Sequence, residues 1–407
     1  MSACRIKVLF FAEGATLAHV VRPFALARTL DPARFDVTFC RPPAFRWLTA
    51  EAPFLVTDIR CQEVSIFGRR LKYGVPLYDF ATLVGYVEDD LALIDSVRPH
   101  VIVGDFRLSL SVSSRLRSVP YMTICDAYWS PERSLQPPLP VLGFTRYVPL
   151  PAAERIFRCI SGLALRLHAL PMERLRARYE LPSLSFDLRR CYTDADFRLY
   201  ASFPLLFPEV NTGKDAAFVG PVTWFPGEDD APDFCDLSKP LIYVTMGSSG
   251  DHRLLGRVIP VLEQTSYPIV VATAGKPLSF EPASPGTRVF DYLPGNLVCR
   301  FARLVVCNGG SPTTNQALAN GVPVLGIAQN MDQFLNMQAI DKYGAGVLMR
   351  SDRASEAALR SAVTTLIEDV GYTARAKVLA QSVEAVRAKG ALAHGIEALL
   401  SRPKAPR

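Results

Sequence analysis

Residues Leu304 to Asn336 read L-V-V-C-N-G-G-S-P-T-T-N-Q-A-L-A-N-G-V-P-V-L-G-I-A-Q-N-M-D-Q-F-L-N. The short β-branched run at Leu304–Cys307 predicts a buried parallel strand. It stops at Asn308-Gly309-Gly310, where missing side chains let backbone approach a ligand closely. A helix is expected next, with Ser311 as its cap and Pro312 at its first position, where the lost amide hydrogen has no partner inside the helix anyway. Thr313 and Thr314 add hydroxyls to the first turn. A glycine turn, free amides and a helix N-terminus on one spot suit phosphate, and a diphosphate is the expected guest.

That helix should end near Asn320-Gly321, with Val322–Ile327 as the following strand, which makes a β-loop-α-β unit of a parallel sheet. Just past the strand's carboxyl end lie Asp332 and Gln333. Open parallel sheets bind ligands at that edge, so a carboxylate and an amide there suit the sugar-like far half of a phosphate-anchored ligand. The plain alternative is a helix cap at Ser311 and a solvated turn at Asp332-Gln333.

The chain's opening repeats the architecture. Arg5–Phe11 predicts a strand, Ala12–Thr16 a turn, Ala18–Leu30 a helix by its apolar spacing, and Asp36–Cys40 another strand. His19 begins that helix at the sheet's carboxyl edge. Val101–Gly104 is a further buried strand with Asp105 at its end, on the same edge. A carboxylate there holds an imidazole in one tautomer and makes a general base; the alternative for Asp105 is a helix cap. The G-x-G-x-x-G fingerprint is absent, which disfavours a dinucleotide oxidoreductase. Phe54 to Asp95 is mixed and aromatic and is read as loops over the first sheet. Asp126, Tyr128 and Trp129, on the exit of the Val119–Cys125 strand, are expected to face the crevice and touch an acceptor.

Pro151–Tyr179 is helical and carries Arg155, Arg158, Arg166, Arg174, Arg176 and Arg178, either a solvated face or one that rests on an anionic membrane. Thr223–Lys239 is proline-rich and acidic, the expected linker. Leu241–Thr245 starts a second Rossmann-like half and runs into Met246-Gly247-Ser248-Ser249-Gly250, whose amides also suit phosphates. The expected division is a first domain over 1–222, a linker over 223–239, a second domain over 240–385, and a tail over 386–407 that crosses back to the first.

With 407 residues, 49% of them hydrophobic, the chain has material for two cores, and a net charge of +6 without a basic run does not point to nucleic acid. Nine scattered cysteines without C-x-x-C pairs read as reduced thiols of a cytoplasmic protein. No signal-like N-terminus and no membrane-length apolar run is read. Asp194-Ala195-Asp196 has a D-x-D spacing but is discounted as a metal site.

The block Cys307–Asn336 resembles the donor-binding signature of family-one, UDP-glycosyltransferase-like enzymes, α/β proteins of the GT-B fold with two facing Rossmann-like domains, above all the bacterial macrolide-glycosyltransferase type. The resemblance implies phosphate contacts from Gly310, Thr313, Thr314 and Ser311, and from Asn308, which stands where a histidine is usual. It implies sugar contacts from Asp332 and Gln333, and a ribose contact from Gln316, where glutamate is common. Asp291-Tyr292-Leu293-Pro294 resembles the segment that stacks on the base. Glu13–His19 with Pro23–Ala27, and Val101–Phe106, resemble the segments that carry the catalytic His and its Asp. The implied function is inverting, metal-independent transfer of a sugar from a UDP- or dTDP-linked donor to a small apolar acceptor such as a natural product, with no cofactor and with peripheral membrane contact as an option. The alternatives are a lipid-linked precursor transferase, a sugar-nucleotide epimerase of the same fold, and a silent helper protein.

Overall fold

A computed structural model describes residues 5–134, 136–224, 239–248 and 250–402. In chain order the first half runs β1 (Ile6–Ala12), α1 (Ala18–Ala27), β2 (Phe35–Arg41), β3 (Leu55–Asp58), α2 (Val64–Tyr73), α3 (Phe80–Val97), β4 (Val101–Asp105), α4 (Leu110–Leu116), β5 (Tyr121–Cys125), α5 (Leu150–Arg178), α6 (Leu188–Thr193), β6 (Phe197–Tyr200) and β7 (Ala216–Phe218). The second half runs β8 (Leu241–Thr245), α7 (Leu255–Leu262), β9 (Ile269–Ala272), β10 (Thr287–Phe290), α8 (Gly295–Cys299), β11 (Ala302–Cys307), α9 (Ser311–Ala319), β12 (Val324–Ala328), α10 (Met331–Tyr343), β13 (Gly346–Arg350), α11 (Glu356–Glu368), α12 (Val370–Arg387) and α13 (Ala391–Leu400).

Among the described residues these strands form two wholly parallel sheets, ordered β3-β2-β1-β4-β5-β6-β7 and β10-β9-β8-β11-β12-β13. Helices cover both faces of each, so the central strands are buried throughout and read as continuous apolar runs. In both sheets the strand order reverses beside the first strand, between β1 and β4 and between β8 and β11. Such reversals open a crevice at the carboxyl edge. This is the GT-B architecture of two facing Rossmann-like domains.

Three stretches differ from the sequence reading. Phe54 to Asp95 holds β3, α2 and α3 instead of loops. Aromatic and charged residues hide the helical period there, while Asp79 caps α3 by accepting from the Thr82 amide at 2.8 Å. The Asp332-Gln333 segment is the first turn of α10, not a solvated turn. At the C-terminus, α12 runs through the expected 385/386 boundary, and α13 lays Leu392, Ile396 and Leu399 into the core under β1, β5 and β6. Each such side chain contributes ~1.5–3 kcal/mol by burial. Of the linker, residues 225–238 lie outside the described part.

Candidate active site

Register builds the first wall. Ala12 of β1 pairs with Asp105 of β4, so the turn after β1 and the end of β4 share one edge. His19, in the first turn of α1, places Nδ1 2.7 Å from Asp105 Oδ1. With the Nδ1 hydrogen donated to that carboxylate, Nε2 is the nitrogen left for the cavity that His19 lines. The ring lies flat on Phe106, centroids 4.7 Å apart at 12°. Asp105 is fully buried and is no helix cap.

Arg22, one turn beyond His19 and therefore on the same face of α1, completes this wall. Its Nε and Nη2 donate to Asp105 Oδ2 and Oδ1, both at 2.8 Å, and its Nη1 donates to Asp126 Oδ2 at 2.6 Å. Nη2 also lies 3.2 Å from His19 Nδ1, a contact between two donors and thus not a second hydrogen bond in the tautomer above. Burial alone would raise the Asp105 pKa; the charges of Arg22 and His19 outweigh it and hold the carboxyl below its ordinary range. The sequence signal for Arg22 was its spacing of three from His19.

Behind the turn stands a second ionic cluster, also absent from the sequence reading. Arg107 donates to Glu13 at 3.3 Å and Asp90 at 3.0 Å, with all three side chains fully buried. Its guanidinium lies 3.6 Å over the Tyr86 ring. It fixes the backbone that carries His19 and does not line the cavity.

Across the crevice, Tyr128 Oη and Trp129 Nε1 each donate to Asp332 Oδ1 at 3.0 Å. Trp129 and Asp126 line the cavity as expected, but Tyr128 is 1% exposed and is turned onto the second half, so it latches the two halves instead of facing an acceptor. Burial, then the nearby Asp126 charge, raises the Asp332 pKa above the ordinary carboxylate value. Oδ1 of Asp126 is buried without a partner among the described residues.

The second wall is the phosphate turn. Helix α9 is capped by Gly310, not Ser311, and no side chain caps it. Ser311 is instead its first residue and meets the Tyr128 hydroxyl. Gly309 has φ +79°, and a Cβ there would sit 2.6 Å from Met337 Cγ, so its missing side chain serves the turn and packing, not a ligand. Asn308 Oδ1 accepts from the Gly310 amide at 3.1 Å, which braces the turn. Gly310, Ser311, Thr313, Gln316 and Asn308 line the cavity. Thr314 does not: it is fully buried, its hydroxyl donates to the main chain at Gly310 and Ser311 and accepts from Asn336 Nδ2 at 2.9 Å. Its role is to hold the helix start in place.

Gln333 Oε1 accepts from the Gln329 amide at 2.8 Å and from the Asn330 amide at 3.3 Å, while its Nε2 is buried without a partner among the described residues. The amide group is therefore oriented by its own capping box, and the residue lines the cavity with its Nε2 donors unused among the described residues. Gly247, Ser248 and Leu293 line the cavity too, whereas Tyr292 is 58% exposed beside it with its hydroxyl on Ala274 O. Ser249 lies outside the described residues. Two cations that the sequence reading missed also reach this space: Lys276, whose Nζ donates to Ser248 O at 3.1 Å, and Arg253, paired with Asp251 at 2.7 Å. They come from loops after β9 and β8, and only the fold brings them to the turn.

The whole space between the halves is about 960 Å³ and draws its lining from both, a size suited to a ligand of drug-like bulk or larger. Its floor in the first half is apolar, with Phe67, Leu71, Phe106, Phe157, Leu165 and Tyr192. Asp194 and Asp196 are elsewhere, held by Arg115, Arg176 and the Tyr121 amide. Among the described residues no group of three or more His, Cys, Asp or Glu could hold a metal ion.

Residues 262–399 match the family described as erythromycin biosynthesis protein CIII-like, C-terminal domain. A PGL/p-HBAD biosynthesis glycosyltransferase of Mycobacterium tuberculosis is 40% identical over 386 residues, 93% of this chain and 89% of that protein. The chain belongs to this glycosyltransferase family. A PGL/p-HBAD biosynthesis rhamnosyltransferase of Mycobacterium bovis is also 40% identical, over 385 residues that span 94% of this chain and 85% of that one. The glycosyltransferase of kitacinnamycin superposes with a TM-score of 0.73 at 18% identity, over 98% of this chain and 100% of that one, so the fold is shared. This glycosyltransferase accordingly has the architecture and the family that the resemblance at Cys307–Asn336 implied.

Proposed function

We propose that this glycosyltransferase moves a sugar from a nucleotide diphosphate donor, UDP- or dTDP-linked, to a hydroxyl of an apolar acceptor, with inversion and without a metal. The observation that supports this most is the placement of His19 Nε2 and the α9 start on opposite walls of one cavity. The acceptor hydroxyl gives its proton to Nε2 while its oxygen attacks the anomeric carbon. The bond from that carbon to the diphosphate oxygen breaks, and the electron pair leaves with the nucleotide diphosphate. Asp105 stabilises the imidazolium that forms, and Arg22 keeps Asp105 ionised and fixed in place.

On the donor side, the main-chain amides of the first α9 turn at Ser311 and Thr313, the Thr313 hydroxyl and the α9 dipole receive the diphosphate, in a cradle that Gly247 and Gly310 leave open. Asn308 brings no charge, so Lys276 is the cation assigned to the leaving group. Asp332 Oδ2 and Gln333 Nε2 are the sugar contacts, Gln316 the ribose contact, and Tyr292 with Leu293 the base contact. The relative named a rhamnosyltransferase makes rhamnose the first sugar to test. The apolar floor supports an apolar acceptor. Peripheral membrane contact belongs to this reading as the route by which a poorly soluble acceptor arrives.

His19→Ala should lower transfer by about 10²–10⁴-fold while nucleotide binding, read by calorimetry, stays within a few-fold. Residual turnover with lost binding would remove His19 from the role of base. The anomeric configuration of the product, read by NMR coupling, decides inversion against retention.

A further inference from the structure

One face of α5 has no partner in the fold. Ile156, Ile160, Leu163 and Leu167 are 51%, 50%, 65% and 52% exposed. Their spacing of four, three and four puts them in one line along the helix. Tyr147, just before the helix, is 87% exposed, and Phe144 is 39% exposed. Tyr73 and Val75, at the tip of α2, add 68% and 40%. The α2 tip is tied to α5, since a ring nitrogen of His168 bonds Gly74 O at 3.0 Å.

This collar surrounds the cavity's mouth. Ile160, Phe144 and Val75 belong to it and also line the cavity, whose inner walls continue through Phe157, Ala164 and Leu165. Apolar side chains are therefore shared between the collar and the cavity that His19 lines. Beside the stripe, Arg155 and Arg166 are exposed on one flank, and Arg174 extends the stripe's line by two turns. No ion pair of these three occurs among the described residues. Lys72 stands across the mouth on α2.

We infer that this face rests on an anionic lipid bilayer, with the aliphatic stripe dipping into the headgroup boundary and the arginines against lipid phosphates, so that the acceptor hydroxyl enters the cavity from the membrane. An exposed apolar stripe with flanking arginines is the pattern of an interfacial helix, and long arginine stems let the charge stay at headgroup level. A second copy of the chain fits less well. A two-fold contact through the stripe would set arginine rows of both copies side by side. The inference deepens the acceptor reading above, because it names where that acceptor resides.

The experiment is flotation of the intact protein with phosphatidylcholine vesicles, with and without one-third phosphatidylglycerol, in the absence of donor and acceptor. Anionic vesicles should carry the protein up, and salt well above physiological should release it. The triple variant Ile156→Ser, Leu163→Ser, Leu167→Ser should lose about tenfold in vesicle partition, with an unchanged melting temperature and unchanged UDP or dTDP binding. Arg155→Gln with Arg166→Gln should lose the preference for anionic vesicles. No flotation of the folded wild type, equal flotation with neutral vesicles, or a dimer in sedimentation that the triple variant dissolves would each overturn the inference. Because donor binding is read separately, a failed donor assay would count against the transferase reading and not against this one.

Discussion

The two walls of the cavity solve their tasks with opposite materials. The first half lines up titratable side chains: His19, Asp105, Arg22 and Asp126, with Glu13, Arg107 and Asp90 behind them. The second half offers main-chain amides and neutral residues at its turn, with loop cations at the rim and the Asp332 carboxylate across from Tyr128 and Trp129. Moving a proton needs titratable groups whose charge states are set by neighbours. Holding a diphosphate needs fixed dipoles that need not change state. The first wall is thus fragile to loss of one charge, while the second shares its load among many donors.

Removal of a charge from the first wall should have the largest effect. Arg22→Met removes the main cation that opposes burial at Asp105. The Asp105 pKa, held below its ordinary value in the native protein, should then rise. In the native protein the stability from Asp105 is present above the ordinary carboxylate pKa and is lost only as pH falls through the depressed value. In the variant that loss moves to higher pH. We expect transfer to fall by roughly 10²-fold, and the acid limb of the kcat/KM profile to shift upward. An unshifted profile would make Arg22 a mere packing residue.

Next, Arg107→Met strands Glu13 and Asp90 in the core and should cost about 3–5 kcal/mol of stability in urea unfolding. A cost under 1 kcal/mol would mean that water reaches the cluster. On the second wall, Lys276→Met should weaken UDP or dTDP binding only about tenfold, or roughly 1.4 kcal/mol, since the amides remain. A loss of a thousandfold would contradict the shared-load picture.

The smallest effect has the opposite sign. Asp332 has a raised pKa in the folded chain, so the folded state binds more protons and stability declines as pH rises from the ordinary value through the raised one. Asp332→Asn keeps an acceptor for Tyr128 and Trp129 but removes the buried charge. It should raise the melting temperature near neutral pH by a few degrees while sugar transfer slows. A fall in melting temperature would show that the charge itself makes the latch.

The sequence disclosed whatever is local or periodic. Strand, glycine turn and helix at Leu304–Ala319 needed only their own residues, and His19 with Asp105 followed from two strand ends on one edge. What stayed hidden depends on contacts far apart in the chain. Lys276 looked like loop, and Arg22 like an ordinary helix residue, because their partners arrive from other strands. Thr314 and Ser311 were given to phosphate since nothing local says that Asn336 and Tyr128 claim their hydroxyls. Helices α2 and α3 were missed because aromatic and charged side chains blur their stripe.

The return of α13 to the first half has a mechanical side. Arg387 donates to Pro221 O at 3.2 Å and Thr223 Oγ1 at 3.0 Å, so the outgoing and returning strands of the chain run together at one corner of the molecule. Two tethers at one corner act as a single pivot. Any parting of the halves must therefore also break bonds away from that corner, among them the Tyr128 and Trp129 grip on Asp332 and the 3.2 Å bond from Asn315 Nδ2 to Ala201 O.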